Sequence, residues 1–149
     1  MESLIKLNAI LRFHSSNFQN LHWNAAGEEF DDAHKDITTG YYELCEKYID
    51  VTAEMIARLD GFALNFWEVS EMSEGQWTGV ASDRLYSRTD ICEIAAGLLE
   101  EINNCICECL SSAIMQDVEN AGMKSTLEAM QDEFDIEDRF INTRRLATL

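Results

Sequence analysis

The sequence has no proline and only seven glycines in 149 residues. Without those breakers most of the chain is free to run as long uninterrupted helices, and the sequence reads as all-α. No apolar run approaches the roughly 18 residues of a membrane span, and the opening MESLIKLNAIL lacks the charge and cleavage pattern of a signal peptide. A soluble cytoplasmic protein with no membrane contact is expected. Cysteine occurs without any CxxC or zinc-knuckle spacing: Cys45, Cys92, Cys105, Cys107 and Cys109 are five, an odd number. That usage fits a reducing compartment. On a helix Cys105 and Cys109 share a face while Cys107 points away, so this run cannot give three thiolates to one ion, and the cysteines read as small buried apolar residues. Positive charge is scarce too, with 11 bases against 28 acids and a formal net charge of −17. The lysines Lys6, Lys35, Lys47 and Lys124 are scattered, which disfavours direct nucleic-acid binding. The excess acid is either a solvated, self-repelling surface or one that collects cations.

What the chain does have is helical periodicity. Residues 3 to 23 carry Leu4, Leu7, Leu11, Phe18 and Leu21 at alternating spacings of four and three, with His14 filling the missing step. Gly27 suits a turn with positive φ. A second helix is expected from near Phe30, with acids in its first turn and a stripe of Phe30, Ala33, Ile37, Tyr41, Leu44, Tyr48, Val51, Met55 and Leu59. Asp60 to Tyr86 is the least regular stretch and reads as a long crossover connection with room for a short helix around Phe66 to Met72. Within it, Trp67 and Trp77 would either meet a neighbouring subunit or seal the bundle end. Ser87 and Asp90 form a cap for a third helix with a stripe of Ile91, Ala95, Leu98, Ile102, Ile106, Cys109 and Ala113, ending near Gly122. A fourth helix opens at Lys124 or Ser125 with Leu127, Met130, Phe134 and Ile141 inward. The expectation is one domain over residues 1–149, a four-helix bundle with one long crossover between its second and third helices.

Two of the three histidines, His22 and His34, and the acid pair Asp50 and Glu54 are residue types that bind iron, manganese or zinc. An acid pair four apart is by itself weak evidence of a site, being as well a solvated helix face. Geometry constrains more. His34 follows the core residue Ala33, whereas Asp50 and Glu54 precede Val51 and Met55, so they flank opposite sides of the stripe. His34 and Asp50 are also roughly 24 Å apart along the axis. One chain cannot close all four on one ion, but two antiparallel copies about a twofold axis could. The diiron bundle that binds metal within one chain needs two Glu-x-x-His pairs, and this sequence has none.

The stretch HWNAAGEEFDDAH, followed by a tyrosine and then DVTAE, resembles the DNA-binding protein from starved cells (Dps) family, the miniferritins of the ferritin-like superfamily. The similarity is specific over about forty residues and extends to the rest as helix lengths and pattern. It implies a ferritin-like bundle that assembles as twofold dimers within a hollow dodecamer and oxidises Fe(II) with peroxide or oxygen at intersubunit sites. By the resemblance, His22 and His34 of one subunit and Asp50 and Glu54 of its mate would be the catalytic and metal ligands, with Trp23 beside them. The Fe(III) would be stored in an acidic cavity as a protection against oxidative damage. Three departures stand out. Thr38 and Thr39 occupy the region where many members carry a further acid, and Met55 replaces a common arginine. The interval from His34 to Asp50 is also one residue longer than usual. A helix can absorb such an insertion as a π-bulge, and Gly40 marks a place for it; unabsorbed, it turns the later ligands by roughly 100°. The basic tail with which some members bind DNA is absent. The alternative is a Dps-like scaffold without ferroxidase activity, acting as an acidic protein-interaction or DNA-mimic module.

Overall fold

Four long helices form the bundle in the computed structural model, which describes residues 1–147: α1 (Glu2–Trp23), α2 (Thr38–Arg58), α4 (Arg88–Leu110) and α6 (Ala121–Phe140). A short α3 (Phe66–Ser73) lies in the connection between α2 and α4, and α5 (Ala113–Gln116) lies between α4 and α6. No strand occurs among the described residues, and no helix among them is long and apolar enough to cross a membrane. The expected all-α bundle with one crossover is therefore the architecture observed.

Cross-helix pairs fix the helix directions. Lys6 meets Glu108 and His14 meets Glu101, so α1 and α4 are antiparallel. Lys47 meets Glu133 and Tyr41 meets Arg145, so α2 and the chain beyond α6 are antiparallel too. Arg88, at the start of α4, pairs with Glu29 and Asp32 just before α2. The chain must therefore travel the length of the bundle between the end of α2 and the start of α4, which is why the connection is long. Its middle is fastened by a buried polar network. Asn17 accepts a hydrogen bond from the Val80 N–H and donates to the Thr78 carbonyl, and this orients its amide. The same amide nitrogen lies 3.0 Å from His14 Nδ1 and donates to it. His14, wholly buried, thus carries its proton on Nε2 and donates it to Glu101 at 2.7 Å. The second oxygen of Glu101 accepts from the Thr78 N–H and hydroxyl.

The core is built from Leu4, Leu7, Leu11, Phe18 and Leu21 of α1, Tyr41, Tyr48 and Met55 of α2, Ile91, Ala95, Leu98, Ile102 and Ile106 of α4, and Leu127, Met130 and Phe134 of α6. Four cysteines are buried as expected, but Cys107 is exposed, because helical spacing turns it away from the face shared by Cys105 and Cys109. The α2 stripe differs from expectation. Cys45, Thr52 and Ile56 are buried, while Leu44, Val51 and Leu59 are only partly so and Phe30 is exposed. Asn8 explains part of the shift: its amide donates to the Ile49 carbonyl and the Thr52 hydroxyl, so a polar pair joins α1 to α2 where apolar pattern alone would place Val51.

The third helix also stops earlier than the sequence suggests, at Leu110 rather than near Gly122. The hydroxyls of Ser111 and Ser112 turn back onto the carbonyls of Cys107 and Cys109, competing with continued helix. The Gln116 side chain then takes the Leu110 carbonyl. The fourth helix opens at Ala121, before Lys124.

Candidate metal centre

His22 lies in the last turn of α1, and His34 lies in the segment that leads into α2. That segment is not regular. Helix begins at Phe30, passes through a π turn at Asp32–Ile37 and resumes as α2. The π-bulge thus lies around His34 itself, upstream of Gly40, where one was expected. The loop between α1 and this segment is held by a bridge in which the Ala26 N–H donates to the Tyr86 carbonyl and the Tyr86 N–H donates to the Asn24 carbonyl, with Gly27 at positive φ beyond it.

The turn brings the two imidazoles face to face, their centroids 3.8 Å apart and their planes 15° from parallel. Phe30 stacks on the other face of His34 at 4.9 Å, and Tyr42 stands edge-on to His22. The rings clasp each other's backbone. His22 Nδ1 lies 2.6 Å from the His34 carbonyl oxygen, and His34 Nδ1 lies 2.8 Å from the His22 carbonyl oxygen. A carbonyl can only accept, so both Nδ1 atoms carry the proton and donate. The neutral form of each ring then keeps its lone pair on Nε2, the atom a metal takes. Burial lowers the His22 pKa, opposed by its bond to the His34 carbonyl and assisted by the nearby His34 ring.

Near-parallel rings at this separation impose a chemical limit. Nitrogen lone pairs lie in the ring planes, and two almost parallel planes do not converge on a point a coordinate-bond length away. The pair can offer one donor to each of two adjacent ions more readily than two donors to one.

Asp50 and Glu54 sit on the exposed side of α2, well down its axis from the histidines. Among the described residues no three His, Cys, Asp or Glu side chains gather into a group that could hold an ion. The structure therefore brings together His22 and His34 and leaves Asp50 and Glu54 apart from them, two halves of the predicted set. Trp23, next to His22, is 66% exposed. Beyond the end of α2, Phe62 is 87% and Trp67 is 73% exposed, while Trp77 packs on Phe13 within the bundle.

Thr38 belongs to this centre, although the resemblance singles it out only as a departure from a common acid. It is wholly buried, and its hydroxyl lies 3.0 Å from His22 Nδ1, 2.9 Å from the Ala33 carbonyl and 3.1 Å from the His34 carbonyl. A threonine one turn after a histidine at a helix start is too common a pattern to have shown this.

No protein-family model and no curated protein matches the sequence. Solved structures do match. The chain superposes on Helicobacter cinaedi CAIP with a TM-score of 0.85 and 18% identity, over 98% of both chains. Antigen TpF1 from Treponema pallidum gives the same TM-score at 16% identity, over 98% of this chain and 90% of that one. What is shared at these identities is the fold.

Proposed function

We propose that the protein is a Dps-like miniferritin that oxidises Fe(II) and retains the Fe(III). The observation that carries this reading is the clasped histidine pair, two imidazoles whose Nδ1 atoms are spent on backbone carbonyls, which leaves Nε2 of each as the nitrogen that could take a metal. In this reading two copies pair about a twofold axis. His22 and His34 of one copy face Asp50 and Glu54 of the second, and the carboxylates supply the negative charge that the histidine half lacks. Iron is the substrate. Each imidazole receives its own ferrous ion, so two one-electron donors stand side by side before a two-electron oxidant. With peroxide the balance is two Fe(II), one hydrogen peroxide and two protons giving two Fe(III) and two waters. Zinc or manganese would fit the same donors. The dodecameric assembly that the resemblance implies would place many such sites around a shared acidic interior.

A second reading, an acidic interaction or DNA-mimic module, draws on the groove between α4 and α6 lined by Glu100, Asp132, Asp135 and Asp138. Burial chiefly, with the neighbouring Glu100, raises the Asp138 pKa, while Arg139 in the same groove pairs with Asp135. Iron chemistry separates the two. Fe(II) added aerobically, with and without peroxide, should give ferric absorbance faster than buffer, and His34→Ala should abolish the acceleration. Wild-type protein no faster than buffer would overturn the ferroxidase reading. Native mass spectrometry adds a second measure: a large assembly that gains iron supports it, and a small oligomer indifferent to iron favours the acidic module.

A further inference from the structure

We infer that the π turn at Asp32–Ile37 acts with the Thr38 hydroxyl to hold His22 with its Nε2 lone pair outward. This rests on the proposed metal reading for what Nε2 does, but the device itself is a property of the metal-free chain.

In a regular helix the His34 carbonyl would accept the N–H four residues on, that of Thr38. Here the Thr38 N–H goes to the Ala33 carbonyl, five residues back. That releases the His34 carbonyl from its regular donor, and His22 Nδ1 occupies it at 2.6 Å. The reciprocal contact uses a carbonyl released for a different reason. His22 is in the final turn of α1, where the last carbonyls have no helical donor, and His34 Nδ1 takes the one His22 offers. Each histidine is therefore anchored on a backbone oxygen freed by an irregularity, a helix end on one side and a π turn on the other.

Thr38 completes the assignment. Its single hydroxyl proton goes to the Ala33 carbonyl at 2.9 Å, which turns an oxygen lone pair toward His22 Nδ1 at 3.0 Å. The Thr39 hydroxyl donates to the His34 carbonyl at 3.1 Å. Three oxygens thus face His22 Nδ1, the His34 carbonyl, the Thr38 hydroxyl and, at 3.4 Å, the Thr39 hydroxyl, and with both hydroxyl protons given to carbonyls a lone pair on Nδ1 would meet lone pairs. The tautomer with hydrogen on Nδ1 is selected, and Thr38 and the π turn are positioning elements rather than ligands.

The test reads the tautomer directly in metal-free protein, by nitrogen-15 NMR of the histidine rings at pH 8, and then titrates Co(II) as a spectroscopic probe. Wild type should show His22 with hydrogen on Nδ1. Deletion of Asp36, an exposed residue inside the π turn, should restore α-helical bonding to the His34 carbonyl and shift His22 toward mixed tautomers. Thr38→Val removes only the hydroxyl and serves if the deletion does not fold. It should weaken Co(II) binding about 10- to 100-fold, the usual cost of losing an outer hydrogen bond to a ligand, with recovery in Thr38→Ser. An unchanged His22 spectrum and unchanged Co(II) affinity in folded Thr38→Val would overturn the inference. A protein that passes this test but fails to accelerate iron oxidation would overturn the ferroxidase reading alone.

Discussion

Replacing Glu101 with alanine should destabilise the protein well beyond what its partly exposed position suggests, because its carboxylate satisfies a histidine with no access to water. His14 is 0% exposed, and its Nε2–H has Glu101 as partner at 2.7 Å. A hydrogen bond to a charged group contributes about 1.5–3 kcal/mol, and leaving the buried donor unpaired costs a similar amount within the same total, so the expected loss is about 3 kcal/mol. The Thr78 N–H and hydroxyl also lose Glu101, but they lie at the surface and water replaces it. The control is Glu108→Ala, which breaks an exposed pair with Lys6 worth about 0–1 kcal/mol. For a chain of this length 1 kcal/mol moves Tm by about 2–4 °C, so Glu101→Ala should melt about 6–12 °C lower and Glu108→Ala at most about 4 °C lower. Circular dichroism melts at matched protein concentration measure both, which removes differences due to self-association. The crossover should loosen as well, with faster hydrogen exchange at Thr78 and Val80. If Glu101→Ala melts within about 2 °C of Glu108→Ala, the carboxylate does not satisfy His14 and the network reasoning fails.

The same network sets a pH dependence. Burial lowers the His14 pKa, with the Glu101 bond opposing it, so the folded protein resists a proton that the unfolded chain accepts at about 6.5. The stability from neutral His14 is then complete above about pH 6.5 and falls as pH drops below it; urea midpoints between pH 7.5 and 5 should decline less steeply in His14→Leu, and an equal slope would refute this. Thiol titration tests the cysteine faces. Burial pushes the Cys105 thiol up to about 11 and Cys45 higher still, so the native protein at pH 8 should react rapidly at Cys107 alone, and two fast thiols would contradict the structure. Phe62→Ser probes the proposed twofold pairing: if that side chain is buried against a second copy, it contributes about 1.5–3 kcal/mol, or roughly tenfold or more in dimer affinity by sedimentation. Unchanged sedimentation would place the pairing surface elsewhere.

The parts of this fold that were legible in the sequence are those written in side-chain spacing or in local hydrogen-bonding chemistry. Leu4, Leu7, Leu11, Phe18 and Leu21 declare their face, and His14 occupies the core position its spacing assigns. Ser87 and Asp90 form a reciprocal cap, as read. Asn65 and Glu68 form another at the start of α3, with the same signature three residues apart, and it was there to be read. The end of α4 was hidden because the apolar period runs on through Ala113 while two adjacent serines stop the helix. Cys45 and Thr52 were hidden because hydropathy ranks Leu44 and Val51 above them, and only a partner such as Asn8 shows which is inside. At the candidate centre the sequence identified both histidines and their separation from Asp50 and Glu54. It had no means of showing that the rings stack or which nitrogen each would spend on the backbone, because both depend on the path of a loop and not on spacing.

Against the interval usual in the family the stretch resembles, the chain carries one extra residue between His34 and Asp50, and the resemblance does not say where it is taken up. Gly40 attracted the assignment because glycine weakens a helix by roughly 1 kcal/mol relative to alanine, which makes it an obvious point of irregularity. The structure places the π turn at Asp32–Ile37 instead, and carbonyl accounting gives the reason. A π-bulge always leaves a carbonyl short of its regular helical donor, so it is favoured where another donor waits. Near Gly40 the released carbonyl would lie among exposed residues such as Asp36, with only water to fill it. At His34 it meets the Nδ1–H of a half-buried histidine that otherwise needs an acceptor, and the Thr38 and Thr39 hydroxyls lie within reach. The irregularity sits where it satisfies two polar groups at once, and the same placement commits His22 Nδ1, rather than Nε2, to the backbone.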